Sequence, residues 1–192
     1  MYRLRMTLAV LATIGTVCAL GQSPAARWHD GVRVSPLSVG QTVNSATFGG
    51  FVDFGGQPAA EDFARYAARG VKTVINLRTA VEMERLGFDE KAVVEKAGMN
   101  YVHVPVGGEP PAPAEMAKIL AVLEQAGERR VLLHCASSVR SGFVWSVFRA
   151  TRHRLGVEEA IGEGKAAGLA SPRMEKHARD VIAAQAGSQP PP

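Results

Sequence analysis

A chain of 192 residues with 46% apolar and 21% charged residues is long enough to bury one substantial hydrophobic core. Its formal net charge of +4 is too small for the strongly basic surface that nucleic-acid binding requires, so we exclude a nucleic-acid partner. The five histidines show no ligand spacing and Cys135 has no cysteine partner, so we predict neither a metal site nor another cofactor.

The first 21 residues have the pattern of a secretory signal peptide. Arg3 and Arg5 form a basic start, the stretch Met6–Leu20 is apolar and uncharged, and small residues around Gly21 suit cleavage. The apolar stretch is short for a membrane span, which needs roughly 20 residues. We therefore expect an exported protein, periplasmic or secreted, with no membrane contact after cleavage; an uncleaved anchor is the alternative.

Cleavage would change both the charge and the thiol content of the chain. Loss of Arg3 and Arg5 would lower the formal net charge from +4 to +2. Cys18 would also be removed, which leaves Cys135 as the only thiol. A lone thiol in an exported protein is either reactive or deeply buried.

The remaining chain is predicted to hold one domain. Residues 22–45 are polar, with scattered Gly, Ser, Pro and Thr, and we interpret them as a linker or loosely packed arm. Residues 46–186 are predicted to form the domain, and residues 187–192 a disordered tail.

Strand and helix patterns alternate within the domain. Short apolar or β-branched runs bounded by Gly or Pro predict strands over residues 48–54, 71–77, 101–106 and 130–134. Apolar residues at helical spacing predict helices over residues 59–69, 89–97, 113–126, 143–150, 157–167 and 172–184, whereas residues 81–87 have no clear pattern.

This order favours a three-layer αβα fold with a largely parallel central sheet. In such sheets the functional sites form at the carboxyl ends of the strands. Arg78 follows one predicted strand and His134 ends another, so we expect both at one rim of the sheet.

The stretch from His134 to Gly142 carries the clearest chemistry. A buried strand leads into a loop of small residues, and a helix follows, so several backbone N–H groups and the positive end of a helix dipole meet at one point. Such a point binds anions and shifts the thiol of Cys135 towards the thiolate. The guanidinium of Arg140 suits two oxygens of a tetrahedral oxyanion.

This stretch resembles the signature loop of the cysteine-dependent phosphatases, the tyrosine and dual-specificity group. The resemblance implies that Cys135 is the nucleophile, that Arg140 binds the phosphoryl oxygens, and that Ser141 assists thiolate formation and turnover. Ala136, Ser137, Ser138 and Val139 form the substrate-binding loop in this comparison. From their own positions, His134 is a candidate to stabilise the thiolate or orient the loop, and Arg78 to add positive charge to the pocket, with a purely structural role as the alternative for each.

The spacing within the loop separates several families. The tyrosine and dual-specificity group has five residues between Cys and Arg, whereas four lie between Cys135 and Arg140. Four residues resemble the bacterial phosphatase-like family found alone or fused to beta-lactamase-like hydrolases, and the order of motifs over residues 47–180 is similar to that family. The same spacing also resembles the rhodanese sulfurtransferases. Ser138 occupies a place where related loops carry Gly, so a left-handed backbone there would be strained.

The resemblance also implies a general acid, an Asp in the loop that here spans residues 107–113. That loop has no Asp, and Glu109 is its one acidic residue, so Glu109 is the first possible general acid and Asp53 the second.

The sequence thus predicts an exported phosphatase-like hydrolase of phosphate monoesters that works through a phosphocysteine intermediate. Its partner would be a phosphorylated substrate or another small oxyanion. Two alternatives stay open: a rhodanese-like sulfurtransferase that carries a persulfide on Cys135, and a non-catalytic anion-binding module.

Overall fold

The computed structural model describes residues 31–127 and 129–186. The predicted signal peptide, the first part of the predicted linker and the predicted tail lie outside the described residues. No helix in the described ranges has both the length and the apolar character needed to cross a membrane.

Six strands form one mixed sheet in the order β1-β2-β3-β6-β4-β5. The pairs β3–β6, β6–β4 and β4–β5 are parallel, whereas β1–β2 and β2–β3 are antiparallel. The strands are β1 Val34–Pro36, β2 Ala46–Phe48, β3 Val52–Gly55, β4 Thr73–Asn76, β5 Asn100–His103 and β6 Val131–His134.

Helices cover both faces of this sheet. They are α1 Asp62–Ala68, α2 Ala80–Glu84, α3 Glu90–Lys96, α4 Pro113–Glu124, α5 Val139–Arg152, α6 Val157–Ala166 and α7 Pro172–Ala186. A 3₁₀ turn over Gln125–Gly127 follows α4.

Strand β6 shows why the sheet has a helical layer on each side. Successive side chains of a strand point to opposite faces. Leu132 packs in a cluster with Phe63 of α1 and Val94 of α3. Leu133 packs in the larger cluster, to which α4, α5, α6 and α7 contribute and in which Trp145 is the largest fully buried side chain. The prediction of a three-layer αβα fold with a largely parallel sheet is confirmed.

The single strand predicted over residues 48–54 is wrong, because this segment is a hairpin between β2 and β3. Gly49 and Gly50 have φ values of 54° and 75°, which turn the chain, and the N–H of Phe51 donates to the carbonyl of Phe48 over 2.9 Å. The apolar run looked continuous because the turn residues lie between aromatic residues of both strands.

The predicted linker over residues 22–45 also needs correction in its described part. Residues 34–36 form the edge strand β1, and Val39 is buried in the cluster with Phe63. The backbone N–H of Gln41 and the hydroxyl of Thr42 both donate to buried Asp62. This segment therefore packs as part of the domain through tertiary contacts that a polar composition does not reveal.

Candidate active site

The loop between β6 and α5 is short. Strand β6 ends at His134 and α5 begins at Val139, four residues before the predicted start, so Arg140 and Ser141 both lie in the first helical turn. The first intrahelical bond runs from the N–H of Gly142 to the carbonyl of Ser138 over 2.9 Å, and the Ser138 side chain does not cap the helix. The first-turn N–H groups and the positive helix end can therefore serve an anion.

Backbone contacts outside the loop fix its orientation. The N–H of Gln57 donates to the carbonyl of Ala136 over 3.1 Å, and the side-chain amide of Asn44 donates to the carbonyl of Ser137 over 3.1 Å. In a trans peptide the N–H points away from the C=O, so the N–H of Ser137 points away from Gln57.

Cys135 lies inside this loop and not on the surface. Only 1% of Cys135 is exposed, and its N–H donates to the carbonyl of Gly55 over 3.3 Å. Burial lowers the pKa of the Arg140 guanidinium, but the carboxylate of Glu82 and the charge and hydrogen bonding of the Cys135 sulfur outweigh it and raise that pKa. The thiol and the guanidinium are therefore electrostatic neighbours.

Glu82 fixes the guanidinium of Arg140. Nη2 donates to Oε1 of Glu82 over 2.6 Å and Nη1 donates to Oε2 over 2.7 Å. Nη1 also donates to the carbonyl of Val106 over 2.8 Å. Nη1 also lies 3.3 Å from the carbonyl of Leu77, which accepts from it. A guanidinium has five N–H groups, so within the described residues these contacts leave Nε–H and the second Nη2–H for the Cys135 sulfur and an anion, and these two groups share one edge of the fork. That edge can hold two oxygens of an anion.

Sequence reasoning missed Glu82, although a local signal marks it. Thr79 and Glu82 form a capping box at the start of α2, with the N–H of Thr79 donating to Glu82 Oε2 over 2.8 Å. The hydrogen bonds from Arg140 lower the pKa of Glu82 to about 2, even though partial burial opposes the change. A Thr-x-x-Glu motif directly after a strand end could have drawn attention to this carboxylate.

Arg78 lies at the same rim. Its Nη2 donates to the carbonyl of Glu82 over 2.9 Å, and its Nη1 donates to Oε1 of Gln57 over 2.6 Å. Arg78 and Arg140 therefore meet at Glu82, as the ends of β4 and β6 suggested, and both add positive charge near the loop.

His134 supports the loop from the opposite face of the sheet. Its Nε2 lies 3.1 Å from Oε1 of Glu90, and both side chains are fully buried. Gln57 and Asn76 each donate to the same carboxylate over 2.6 Å. Burial raises the pKa of Glu90, but the charge and hydrogen bond of His134 and the amide of Gln57 outweigh it and leave that pKa lowered. Cys135 packs on the other face, so we infer that His134 anchors the end of β6.

Two serines in the loop region are fully buried. Ser138 has φ 69° and ψ −7°, which is the left-handed conformation anticipated for a glycine position. The hydroxyl of Ser141 has no hydrogen-bond partner within the described part of the chain. It is therefore available to donate to a sulfur or an anion in the loop.

The two possible general acids have different environments. Glu109 is 69% exposed, and its carboxylate pairs with Arg173 and lies 3.4 Å from Nε2 of His177. Asp53 is fully buried in β3 and accepts hydrogen bonds from Arg69 and Arg130.

The position of Asp53 argues against an acid role. Its partner Arg130 directly precedes β6, at the opposite end of that strand from Cys135. Asp53 is therefore better described as a structural ion-pair anchor. Among residues 31–127 and 129–186, no group of three His, Cys, Asp or Glu side chains is placed to hold a metal ion.

Comparison with known proteins identifies the family. The family model of the beta-lactamase hydrolase-like protein, phosphatase-like domain, matches residues 51–152, which include the whole loop and its partners Gln57, Glu82 and Glu90 but not Asn44. The chain belongs to this family. The resemblance predicted from the loop and the order of motifs is confirmed.

A curated relative and two solved structures agree with this assignment. Beta-lactamase hydrolase-like protein from Xylella fastidiosa is 31% identical over 116 residues, which are 59% of this chain and 27% of that protein, so the chain spans about a quarter of its relative's length. The structure of P. aeruginosa TpbA, a Cys-to-Ser variant in complex with phosphotyrosine, is similar to this chain with a TM-score of 0.62 and 18% sequence identity. The matched region covers 83% of this chain and 99% of the TpbA chain.

The structure of kinase-associated phosphatase, with its catalytic-site cysteine replaced by serine, is similar to this chain with a TM-score of 0.64 and 16% sequence identity. The matched region covers 84% of this chain and 99% of the chain of that phosphatase. At these identities the two structures show a shared fold. They place this chain among proteins with the cysteine-dependent phosphatase fold, and the sulfurtransferase alternative receives no support.

Proposed function

We propose that this protein is an exported cysteine-dependent phosphatase that hydrolyses phosphate monoesters through a phosphocysteine intermediate on Cys135. The observation that carries the proposal is the placement of buried Cys135 and of Arg140 on one short loop at the uncapped start of α5, with the Arg140 guanidinium oriented by Glu82. Membership of the phosphatase-like domain family supports the same chemistry.

The first step transfers the phosphoryl group to sulfur. The Cys135 thiolate attacks phosphorus, an S–P bond forms, the ester P–O bond breaks, and the alcohol leaves with a proton from an acid or from water. The free edge of Arg140 and the first-turn N–H groups of α5 hold the oxygens on which negative charge accumulates.

The second step releases phosphate. Water attacks phosphorus, the S–P bond breaks, inorganic phosphate leaves and the thiolate is regenerated. The hydroxyl of Ser141, which has no partner among the residues that the structure describes, can donate a hydrogen bond to the departing sulfur, which is the role that the resemblance assigns to it. The thiolate is a good leaving group because the same loop that activates it also stabilises its charge.

The proposed substrates are phosphate monoesters with a good leaving group, and aryl phosphates are the first class to examine. TpbA, which shares the fold, was solved with phosphotyrosine bound, and this supports a phosphorylated substrate here. Export is proposed from the signal-peptide pattern of residues 1–21 and is tested by fractionation of cells that express the full chain with a C-terminal tag.

The decisive experiment measures p-nitrophenyl phosphate hydrolysis by the purified protein and by Cys135→Ser. We expect turnover with the thiol and none above background with the hydroxyl. A rapid quench should trap a phosphoryl group on Cys135. Ser146→Ala removes a buried hydroxyl further along α5 and serves as the control for folding. Equal rates from the protein and Cys135→Ser would refute the proposal.

The same preparation separates the remaining alternatives. Competitive binding of inorganic phosphate without turnover on a broad panel of esters would indicate a non-catalytic anion-binding module. Formation of thiocyanate from thiosulfate and cyanide, with one sulfur atom gained on Cys135, would indicate sulfur transfer.

A further inference from the structure

We propose that Ser138 is a positioning residue whose buried hydroxyl holds the Cys135 loop in a left-handed conformation by bonding to the turn between α6 and α7. The inference goes beyond the proposed function, since it requires only that the loop binds an anion. Four independent features of Ser138 and its surroundings carry it.

The first feature is the backbone of Ser138. Its φ of 69° lies in the region that glycine adopts freely and that is strained for a residue with a Cβ. A conformation of this kind persists only where the surrounding structure enforces it. Ser138 immediately precedes α5, so its backbone sets how the first-turn N–H groups and Arg140 face the loop.

The second feature is the hydroxyl, which is used outside the loop. A serine before a helix commonly caps the N–H groups of the first turn. The Ser138 hydroxyl instead donates to the carbonyl of Ala167 over 2.8 Å, and both residues are fully buried. The hydroxyl therefore leaves the first turn of α5 free for an anion and ties the loop to a segment 29 residues away in sequence.

The third feature is the close packing of the same turn on Ser138. A Cβ on Gly168 would lie 2.6 Å from the Ser138 Cβ and 2.8 Å from its hydroxyl oxygen. The φ of Gly168 is 110°, which also requires glycine. There is consequently no room for Ser138 to move towards this turn, and the hydrogen bond opposes movement away from it.

The fourth feature is the support on the other side of the loop. Asn44 and Gln57 hold the carbonyls of the two preceding residues, as described above. The loop is thus held on one side by the segments before β2 and after β3 and on the other by the turn after α6, and Ser138 is the contact on the α6 side.

The experiment compares two substitutions that affect strain in opposite ways. Ser138→Ala removes the hydrogen bond but keeps the Cβ and therefore the strain, whereas Ser138→Gly removes both. If Ser138 only filled space, Ala would be the milder change because it keeps more side-chain volume. If Ser138 positions the backbone, Gly is the milder change.

The readout is alkylation of Cys135 by iodoacetate relative to iodoacetamide, followed on the Cys135 peptide by mass spectrometry in the full-length protein. In both reactions the thiolate attacks the methylene carbon and iodide leaves, so only the negative charge of the reagent differs. The ratio of the two rates reports anion attraction by the loop and does not require phosphatase turnover.

We expect the ratio to fall about tenfold in Ser138→Ala, the combined effect of one unsupported left-handed residue and one lost hydrogen bond. The fall in Ser138→Gly should be smaller, about threefold or less. Ser146→Ala is the matched control, because its buried hydroxyl also donates to a carbonyl in α5, that of Gly142 over 3.0 Å, from a helical backbone. Its ratio should equal that of the unmodified protein.

Unchanged ratios in both Ser138 variants, or a larger fall in Ser138→Gly than in Ser138→Ala, would overturn the proposal. A protein with the expected ratios but no ester hydrolysis would refute the proposed function alone and leave the role of Ser138 intact.

Discussion

Glu82 and Arg140 form a two-point ion pair across the mouth of the Cys135 loop, with N–O distances of 2.6 and 2.7 Å. The pair joins the first turn of α5 to the capping box of α2, and it leaves one edge of the guanidinium free. A guanidinium that is already oriented loses little side-chain entropy when an anion arrives, so this pair prepares the site for binding.

Glu82→Gln should lower kcat/KM for p-nitrophenyl phosphate by about tenfold to a hundredfold, because Arg140 loses a charged anchor and misplaces its free edge. Steady-state kinetics check this. Glu84→Gln, an exposed change on the same helix, should have little effect. Faster hydrolysis by Glu82→Gln would show instead that Glu82 competes with the substrate for the guanidinium.

The effect of Glu82→Gln should be the same at pH 5 and pH 8. The pKa of Glu82 is lowered to about 2, so the stabilisation that the carboxylate provides is fully present above its unfolded pKa. This stabilisation is lost only as the pH falls through the pKa that Glu82 has in the folded protein, which lies well below pH 5. Phosphate inhibition constants for the two proteins, measured at both pH values, check the prediction. A ratio that changes between pH 5 and pH 8 would contradict it.

Asp53→Asn should lower the free energy of unfolding by about 3 kcal/mol, because Arg130 and Arg69 lose a fully buried counter-charge. Urea denaturation at pH 7 measures this. Asp180→Asn removes an exposed partner of Lys176 and should cost less than about 1 kcal/mol. The pH–rate profile of Asp53→Asn should keep its shape; loss of its basic limb would restore Asp53 as the general acid.

Glu90→Gln should reduce the acid sensitivity of the fold. The pKa of Glu90 is lowered, with burial opposed by the charge of His134. Its contribution to stability is therefore present above the ordinary pKa of a glutamate, about 4.3, and is lost as the pH falls through the folded value. Urea denaturation between pH 3 and pH 7 measures the free energy of unfolding of Glu90→Gln and of Glu95→Gln, an exposed control on α3. Glu90→Gln should be less stable at pH 7 but should lose less of its free energy of unfolding as the pH falls. Identical pH slopes in the two variants would contradict the prediction.

Gly168→Ala should weaken both folding and anion attraction, because the new Cβ would clash with Ser138 and the φ of 110° does not suit alanine. Adding Ser138→Gly removes two of the clashing atoms, so the double variant should be less impaired than the sum of the single changes predicts. Gly162→Ala, at an open position inside α6, should be neutral or stabilising. Thermal unfolding and the alkylation ratio measure these effects; strict additivity would show that the two residues do not interact.

Hydrolysis should depend steeply on the leaving group, because Glu109 is engaged by Arg173 and lies beside His177. We expect Glu109→Gln to change the rates with phenyl and p-nitrophenyl phosphate by less than about twofold. A loss of about 10²–10⁴-fold that is confined to phenyl phosphate would assign the general-acid role to Glu109.

The sequence alone determined the elements whose signals are local. Glycine and proline boundaries located most strands and helices, the alternation of the two indicated the layered fold, and the spacing of Cys135 and Arg140 indicated an anion loop with a nucleophile. These signals lie within a few residues of one another, so no knowledge of the folded chain is needed to interpret them.

Only the tertiary structure decided which side chains complete the site, because their partners are distant in the chain. Arg140 and Glu82 are 58 residues apart, His134 and Glu90 are 44 apart, and Ser138 and Ala167 are 29 apart. The edge strand β1 depends on pairing with β2 in the same way. Composition and periodicity describe how a segment folds locally. The pairing of each carboxylate with its cation is decided only when the sheet and its two helical layers pack together.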